Sequence, residues 1–452
     1  MKKIVFLILY LVSVSLSAQN NNHWTLEECI QYAIEHNIEI KQQKLIKENS
    51  EIALNTAQMS RLPDLSAGAG QRWNFGRSNN TLSGIYENQT ISNTSLSVSS
   101  STPLFTGFRI SNEIERRRLD LEASVQSLER AKNDLALNIA SLFLQVLFNQ
   151  EILKINEEQL SLSQLQVERT EQLVKAGSIP ISQLYDIKAQ VAKDEVNVTQ
   201  ARNNLRLSLL DLAQNLELER NVSFDIETPE LGDILENNII LSPEIIYDNA
   251  VSFNPQIREQ ELREESAKRN LRIAQSGYMP TLNLSLGYNN GFFYNYSRDN
   301  ESFANQFKNN VGQYVALNLN VPIFNRFSVR NQVRVAKLNI ESQHLFLENA
   351  KKTLYKEIQT AYVNAISAQE KYRSSQKSVA ASQESFRHAE ERCQVGKASV
   401  FEFSEAKNRL VQSLSEQIQS KYEFIFRIKI LDFYNGFTPQ SNINFSEKTV
   451  GK

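Results

Sequence analysis

The residue types that carry most protein chemistry are sparse in this sequence and poorly spaced for it. The 452 residues include four histidines, His23, His36, His344 and His388, and two cysteines, Cys29 and Cys393. No histidines have the spacing that grips zinc from one helix face. A Cys-x-x-Cys, a phosphate-cradling glycine loop and a nucleophile elbow are all missing from the sequence. His388 and Cys393 fall near each other on one predicted helix, where a thiol–imidazole pair competes with a bystander reading. Glu402 and Glu405 begin another helix, where the dipole favours carboxylates and they can serve as solvated surface groups. The chain therefore reads as a non-enzyme with no cofactor-binding, metal-binding or catalytic residues. Charged residues make up 22% of the chain and nearly cancel, for a net charge of −2, which leaves no electrostatic footprint for nucleic acid.

The elements around these residues point elsewhere. Lys2 and Lys3 precede an apolar run from Ile4 to Leu16 and the small pair Ser17-Ala18, the plan of a cleaved export signal spanning residues 1–18. Cleavage after Ala18 is the first choice and after Ser17 the second. Cys29 lies too far in for lipid attachment. Past the signal, no run approaches the ~18 apolar residues of a membrane-spanning helix, so any membrane contact falls to strands. The two cysteines form no disulfide framework; isolated thiols or one optional bridge fit them. Only 14 glycines and 9 prolines occur, which suits long helices.

The chain is internally duplicated. Ala57, Gln58, Pro63, Leu65 and Gly70 recur 217 positions later at Ala274, Gln275, Pro280, Leu282 and Gly287. Pro103, Phe105, Phe108, Asn112, Lys132, Ile139 and Gly177 recur 219 positions later at Pro322, Phe324, Phe327, Asn331, Lys351, Ile358 and Gly396. The first repeat covers 19–220, with strands expected at about 64–76 and 94–105 and helices at about 110–173 and 182–218. A linker, 221–241, leads to the second repeat, 242–436. Its strands are expected at about 281–290 and 313–324 and its helices at about 328–392 and 401–434, before a C-terminal tail at 437–452. A single helix is expected ahead of each first strand, over 26–61 and 243–277. Leu121, Val125, Leu128, Lys132, Leu135, Ile139, Leu142, Val146, Asn149 and Leu153 alternate by four and three, a coiled-coil seam.

Between the helices the period changes to two. Leu65, Ala67, Ala69, Trp73 and Phe75 alternate with Ser66, Gly68, Gly70, Arg72 and Asn74, as Leu282, Leu284, Leu286 and Tyr288 do with Asn283, Ser285, Gly287 and Asn289, and the returning segments behave likewise. Four strands with one apolar and one polar face fit a transmembrane barrel. The aromatics Trp73, Phe75, Phe105, Phe108, Tyr288, Phe324 and Phe327 sit where interfacial girdles would lie. A small soluble sandwich is the alternative, but no second apolar layer is left to cover its outer faces. Four strands cannot close a barrel, so protomers must pool them: two copies give eight, three give twelve.

These features together resemble the TolC-like outer-membrane efflux proteins, over nearly the whole sequence after the signal. The resemblance rests on duplicated halves, a helix ending at Leu62-Pro63 or Met279-Pro280, the closing motifs PLF (103–105) and PIF (322–324), and two glycine turns. Those turns are LVKAGSIPISQLYDIKAQ from Leu173 and CQVGKASVFEFSEAKNRL from Cys393. It implies a mainly α fold with a membrane β-barrel portion: a homotrimer with a twelve-stranded barrel in the outer membrane and an α-helical coiled-coil tunnel reaching into the periplasm. It implies an outer-membrane exit duct of a tripartite efflux or type I secretion system, passively conducting what a periplasmic adaptor (membrane fusion protein) and an inner-membrane pump deliver. Gly177, Ser178, Gly396 and Lys397 would form the adaptor-docking periplasmic tip. Glu402, Glu405 and Asp186, the first-repeat counterpart of Glu405, would line the pore constriction, where three-fold crowding of carboxylates favours cations. Gln183, Ala398 and Cys393 occupy the family's gate-lock positions, so a charged lock of that type is not expected. The alternative is a soluble periplasmic coiled-coil scaffold or adaptor.

Overall fold

The computed structural model describes residues 23–79, 84–219, 224–229, 240–297, 299–395 and 397–436. The expected signal peptide, the expected tail 437–452, Gly396 and most of the expected linker lie outside the described residues.

The low glycine and proline content gives long, uninterrupted helices. In chain order the elements begin with β1 (His23–Trp24), α1 (Leu26–His36), α2 (Ile38–Met59), β2 (Ser66–Asn79), β3 (Tyr86–Phe105), α3 (Arg109–Lys175) and α4 (Ile181–Asn215). They continue with β4 (Asp225–Ile226), α5 (Pro243–Phe253), α6 (Pro255–Ser276), β5 (Thr281–Asn295), α7 (Phe303–Asn309), β6 (Gly312–Asn320), α8 (Ser328–Gln394) and α9 (Val400–Tyr434). At 67 residues each, α3 and α8 run about 100 Å at the helical rise.

The helices expected over 26–61 and 243–277 are each broken once, at Asn37 and Asn254, 217 positions apart. Both asparagines leave the helical region, with ψ of 136° and 120°. The Asn37 Oδ1 accepts from the Glu39 and Ile40 amides at 2.8 and 3.4 Å, and the Asn254 Oδ1 from Gln256 and Ile257 at 2.9 and 3.3 Å. Each side chain thus satisfies two orphan donors of the second helix, which offsets the cost of the break.

Two units are distinguished. One holds the described residues up to 44, 127–257 and those from 350 onward; the other holds 45–126 and 258–349. In the first, Leu26, Cys29, Ile30 and Ala33 of α1 pack with Leu135, Ile139, Phe143 and Leu147 of α3, Leu212 of α4 and Ile425 of α9. The buried face of α3 is wider than the expected seam and includes Ala136, Ala140 and Leu144, because this helix has neighbours on more than one side. Within the linker, β4 pairs in parallel with β1, an element with no sequence signal.

The second unit carries the sheet, with strand order β2-β3-β5-β6, all antiparallel. The strand expected at about 313–324 ends at Asn320. Its partner β5 starts at Thr281, opposite Asn320, and Pro322 has no N–H to extend a ladder. In the first repeat β3 passes through Pro103 to Phe105, since Asn283 and Leu282 stand opposite, with a register irregularity absorbing the proline. Each strand then turns into its helix through two consecutive left-handed residues, Gly107-Phe108 (φ 61° and 66°) and Arg326-Phe327 (53° and 61°). Here the repeated PLF and PIF phrases acquire their shape. The turn stacks Phe105 on Phe108 and Phe324 on Phe327 edge to face, at 5.5 and 5.7 Å.

Candidate functional site

The strand register sorts the sheet into two chemistries. Ala67↔Val98↔Tyr288, Ala69↔Leu96 and Leu284↔Leu317 align on one face, with Val315 and Leu319 alongside. Ser66↔Ser99, Gly68↔Ser97, Gly70↔Ser95 and Asn283↔Asn318 align on the other. The apolar face is open to its surroundings, with Phe75 78% and Val315 75% exposed. From Ala67 to Phe75 this face spans about 26 Å along the strand, close to the ~25 Å height of the apolar band of outer-membrane strands, and is interrupted midway by Gln71 and Thr94, whose side chains bond to each other. Trp73 and Phe75 stand on this face near the hairpin tip, and Phe105, Phe108, Phe324 and Phe327 at its opposite, helix-adjoining end. Tyr288 lies mid-strand, because β5 runs on to Asn295; Phe292 and Tyr294 continue the face toward its tip. Among the described residues β2 and β6 are edge strands, each presenting a row of backbone groups without a strand partner. A cleft of about 640 Å³ near the helix-adjoining end is lined by Thr56, Arg109, Glu113, Arg117, Thr281 and Asn283 among others. The Glu113 carboxylate is held by Arg116 and Arg117 at 2.6 and 3.0 Å. Burial would raise its pKa, but these bonds outweigh it and hold it below the usual range.

The other unit carries the glycine turns. Gly177 has φ 68°. The Ser178 amide donates to Leu173 O and the Gly177 amide to Val174 O, both at 3.0 Å, the paired bonds of a Schellman C-cap. In the second repeat the Lys397 amide reaches Arg392 O at 2.8 Å, the same bond 219 positions on. Ser178 and Lys397 are exposed. Glu402 does not stand free: Arg392 meets it across the turn at 3.2 Å, while Glu405 pairs with Arg409 of its own helix at 3.0 Å. Asp186 is exposed and belongs to neither pair. Among the residues expected where the family's gate lock would lie, Cys393 accepts a bond from Gln166 Nε2 at 3.8 Å, and burial raises its thiol pKa. His388 faces Glu391 instead, at 3.7 Å. Among the described residues no three His, Cys, Asp or Glu side chains converge on a point.

Sequence reasoning missed a buried charge pair. Lys407 of α9, 1% exposed, donates to Asp194 Oδ2 of α4 at 2.5 Å, to Gln159 O at 3.2 Å and to Ser163 Oγ of α3. Ser163 Oγ and Gln190 Nε2 complete the Asp194 carboxylate at 2.6 and 2.8 Å. Burial pushes the Lys407 ammonium pKa down and Asp194 partly restores it. The signal was available in the repeat: the positions corresponding to Ser163 and Asp194 are Ser382 and Ser413, which share a neutral bond at 2.9 Å.

The profile of the family described as "Outer membrane efflux protein" matches residues 29–216 and 246–425. Outer membrane protein TolC of Salmonella enteritidis is 23% identical over 407 residues, covering 88% of this chain and 79% of that protein. Outer membrane protein TolC of Escherichia coli (strain K12) is 24% identical over 384 residues, covering 82% and 74%. The CmeC outer membrane channel of Campylobacter jejuni shares the fold, with a TM-score of 0.74 at 17% identity, over 95% of this chain and 87% of that one.

Proposed function

Because the chain belongs to the outer membrane efflux protein family and is an exit duct of efflux systems in the outer membrane, we propose that it works as a homotrimer engaged by a periplasmic adaptor and an inner-membrane pump. The observation that carries this reading is the four-stranded sheet with an exposed apolar face and two edges that have no partner among the described residues. A membrane tolerates no open edge. Pairing β6 of one copy with β2 of the next resolves both edges at once, and three copies supply the twelve strands. Face parity supports the pairing: Ser66 opposite Asn320 sets Ala67 beside Leu319 and Ala69 beside Leu317, apolar against apolar.

In this assembly the apolar face meets outer-membrane lipid, with Trp73 and Phe75 at one interface and Phe105, Phe108, Phe324 and Phe327 at the other. The helices continue as a coiled-coil tunnel into the periplasm. Gly177, Ser178, Gly396 and Lys397 form the tip on which the adaptor docks, whether the pump belongs to a tripartite efflux or a type I secretion system. Glu402, Glu405 and Asp186 surround the narrow end, with Arg392 and Arg409 tempering the first two. Conduction is passive and non-catalytic, and the pump supplies the energy. Native mass measurement of the detergent-solubilised protein tests the assembly. Three copies are expected; a single copy or a pair would contradict it.

A further inference from the structure

The helix α7 stands where β6 stops. Beyond Asn289 the strand β5 has no partner in β6, which begins at Gly312. Side chains of α7 and the residue after it take over the ladder. Gln306 Oε1 accepts from the Phe293 amide at 2.9 Å and its Nε2 donates to Phe293 O at 2.8 Å, while Asn310 Nδ2 donates to Gly291 O at 2.8 Å. These are the alternate residues whose backbone would have met a longer β6, so α7 fills its place without offering a strand edge. Its apolar residues lean toward the apolar face: Phe303 packs on Phe292 at 5.1 Å and stacks on Phe307 at 5.6 Å. Both remain open to their surroundings, at 56% and 43% exposed.

The opposite edge of the sheet is longer. β2 has 14 residues and β6 has 9, so when the two pair between copies at least 14 − 9 = 5 residues of β2 extend past β6. The strand ends that adjoin helices, Ser66 and Asn320, lie at one membrane level. Pairing them brings Asn74 opposite Gly312 and leaves residues 75–79 beside α7. Phe75 belongs to the apolar face, as Phe292 does.

We propose that α7 clasps the next protomer, its Phe303–Phe307 stack packing against Phe75 and the overhanging end of β2 of a second copy. The inference rests on the trimeric reading above and adds a contact at the hairpin-tip end of the barrel, where strand pairing has run out. Aromatic pairs of this kind add about 0.5–1.5 kcal/mol beyond their area.

The test places a benzophenone amino acid at Phe307 of the full-length protein in outer membranes, with Phe303 as a second position, and irradiates before solubilisation. The expected products migrate at two and three times the monomer mass and join the probe to the tryptic peptide spanning residues 73–77. If native mass shows three copies but the probes capture only lipid or their own chain, α7 faces the bilayer and this inference falls while the trimer stands. A native mass of one copy would overturn the assembly itself.

Discussion

At the scale of single residues, the largest local stake is the Lys407–Asp194 pair. Removing one member of a buried pair strands the other, at a cost of about 3–5 kcal/mol. Lys407→Met should therefore lower the thermal midpoint of the purified protein markedly. Combining it with Asp194→Ser, which copies the neutral second-repeat arrangement, should recover most of the loss; a single variant as stable as the parent would remove the pair from the account. In the proposed constriction Arg392 and Arg409 offset the charges of Glu402 and Glu405, which sets the direction of two selectivity changes. In planar bilayers Arg392→Ala should raise cation preference by releasing three copies of Glu402, and Glu402→Ala should lower it. Reversal potentials in a salt gradient report both, and no shift in either variant would take Glu402 out of the constriction. Glu113 supplies a pH test. Its folded pKa lies below the unfolded value of about 4.3, so its contribution is present above that value and lost as pH falls through the folded pKa. The thermal advantage of the parent over Glu113→Gln should shrink on acidification below about pH 4.3; a constant difference would contradict the assignment.

At the scale of elements, the repeat was legible wherever it was written in periodicity. Long helices announced themselves through scarce glycine and proline, and the strands through alternation of small polar and apolar residues. What escaped was punctuation. Asn37 and Asn254 sit in helical patterns with no glycine, and at Asn37 no proline follows. Their capping role depends on a side chain bonding two amides ahead of it, and periodicity does not register this. Their positions 217 apart were a usable signal, because Asn recurs there while its flanking residues change. Asn254→Ala should cost on the order of 0.5–2 kcal/mol as a lost cap, read as a lowered thermal midpoint. Asn37→Ala should cost a similar amount, and neutrality at both positions would mean that packing alone sets the break. The left-handed pairs Gly107-Phe108 and Arg326-Phe327 were also hidden, since only one of the four residues is glycine. A Cβ on Gly107 would stand 2.5 Å from the Met279 Cβ, so there the residue choice is steric as well as conformational. The helix α7 was missed because seven residues are too few to establish a period, and the side chains that matter in it serve a strand.

At the scale of the molecule, the sequence foretold a sheet that could not be complete by itself, and the structure identifies its two open edges as β2 and β6. The unequal lengths of those edges, invisible to alternation alone, turn the hairpin-tip end into a second place where copies can meet. The proposed docking turns, with Ser178 and Lys397 exposed, make the opposite demand, for a partner that is not a copy of this chain. Under the proposed function, export through the duct depends on that partner, with the energy supplied by a pump. The most direct measurement is photo-crosslinking from Lys397, beside the second glycine turn, in intact cells carrying the full-length protein. Capture of a periplasmic adaptor is expected, whose associated pump would then identify the cargo class. Products confined to neighbouring copies of this chain would contradict a docking tip at that turn.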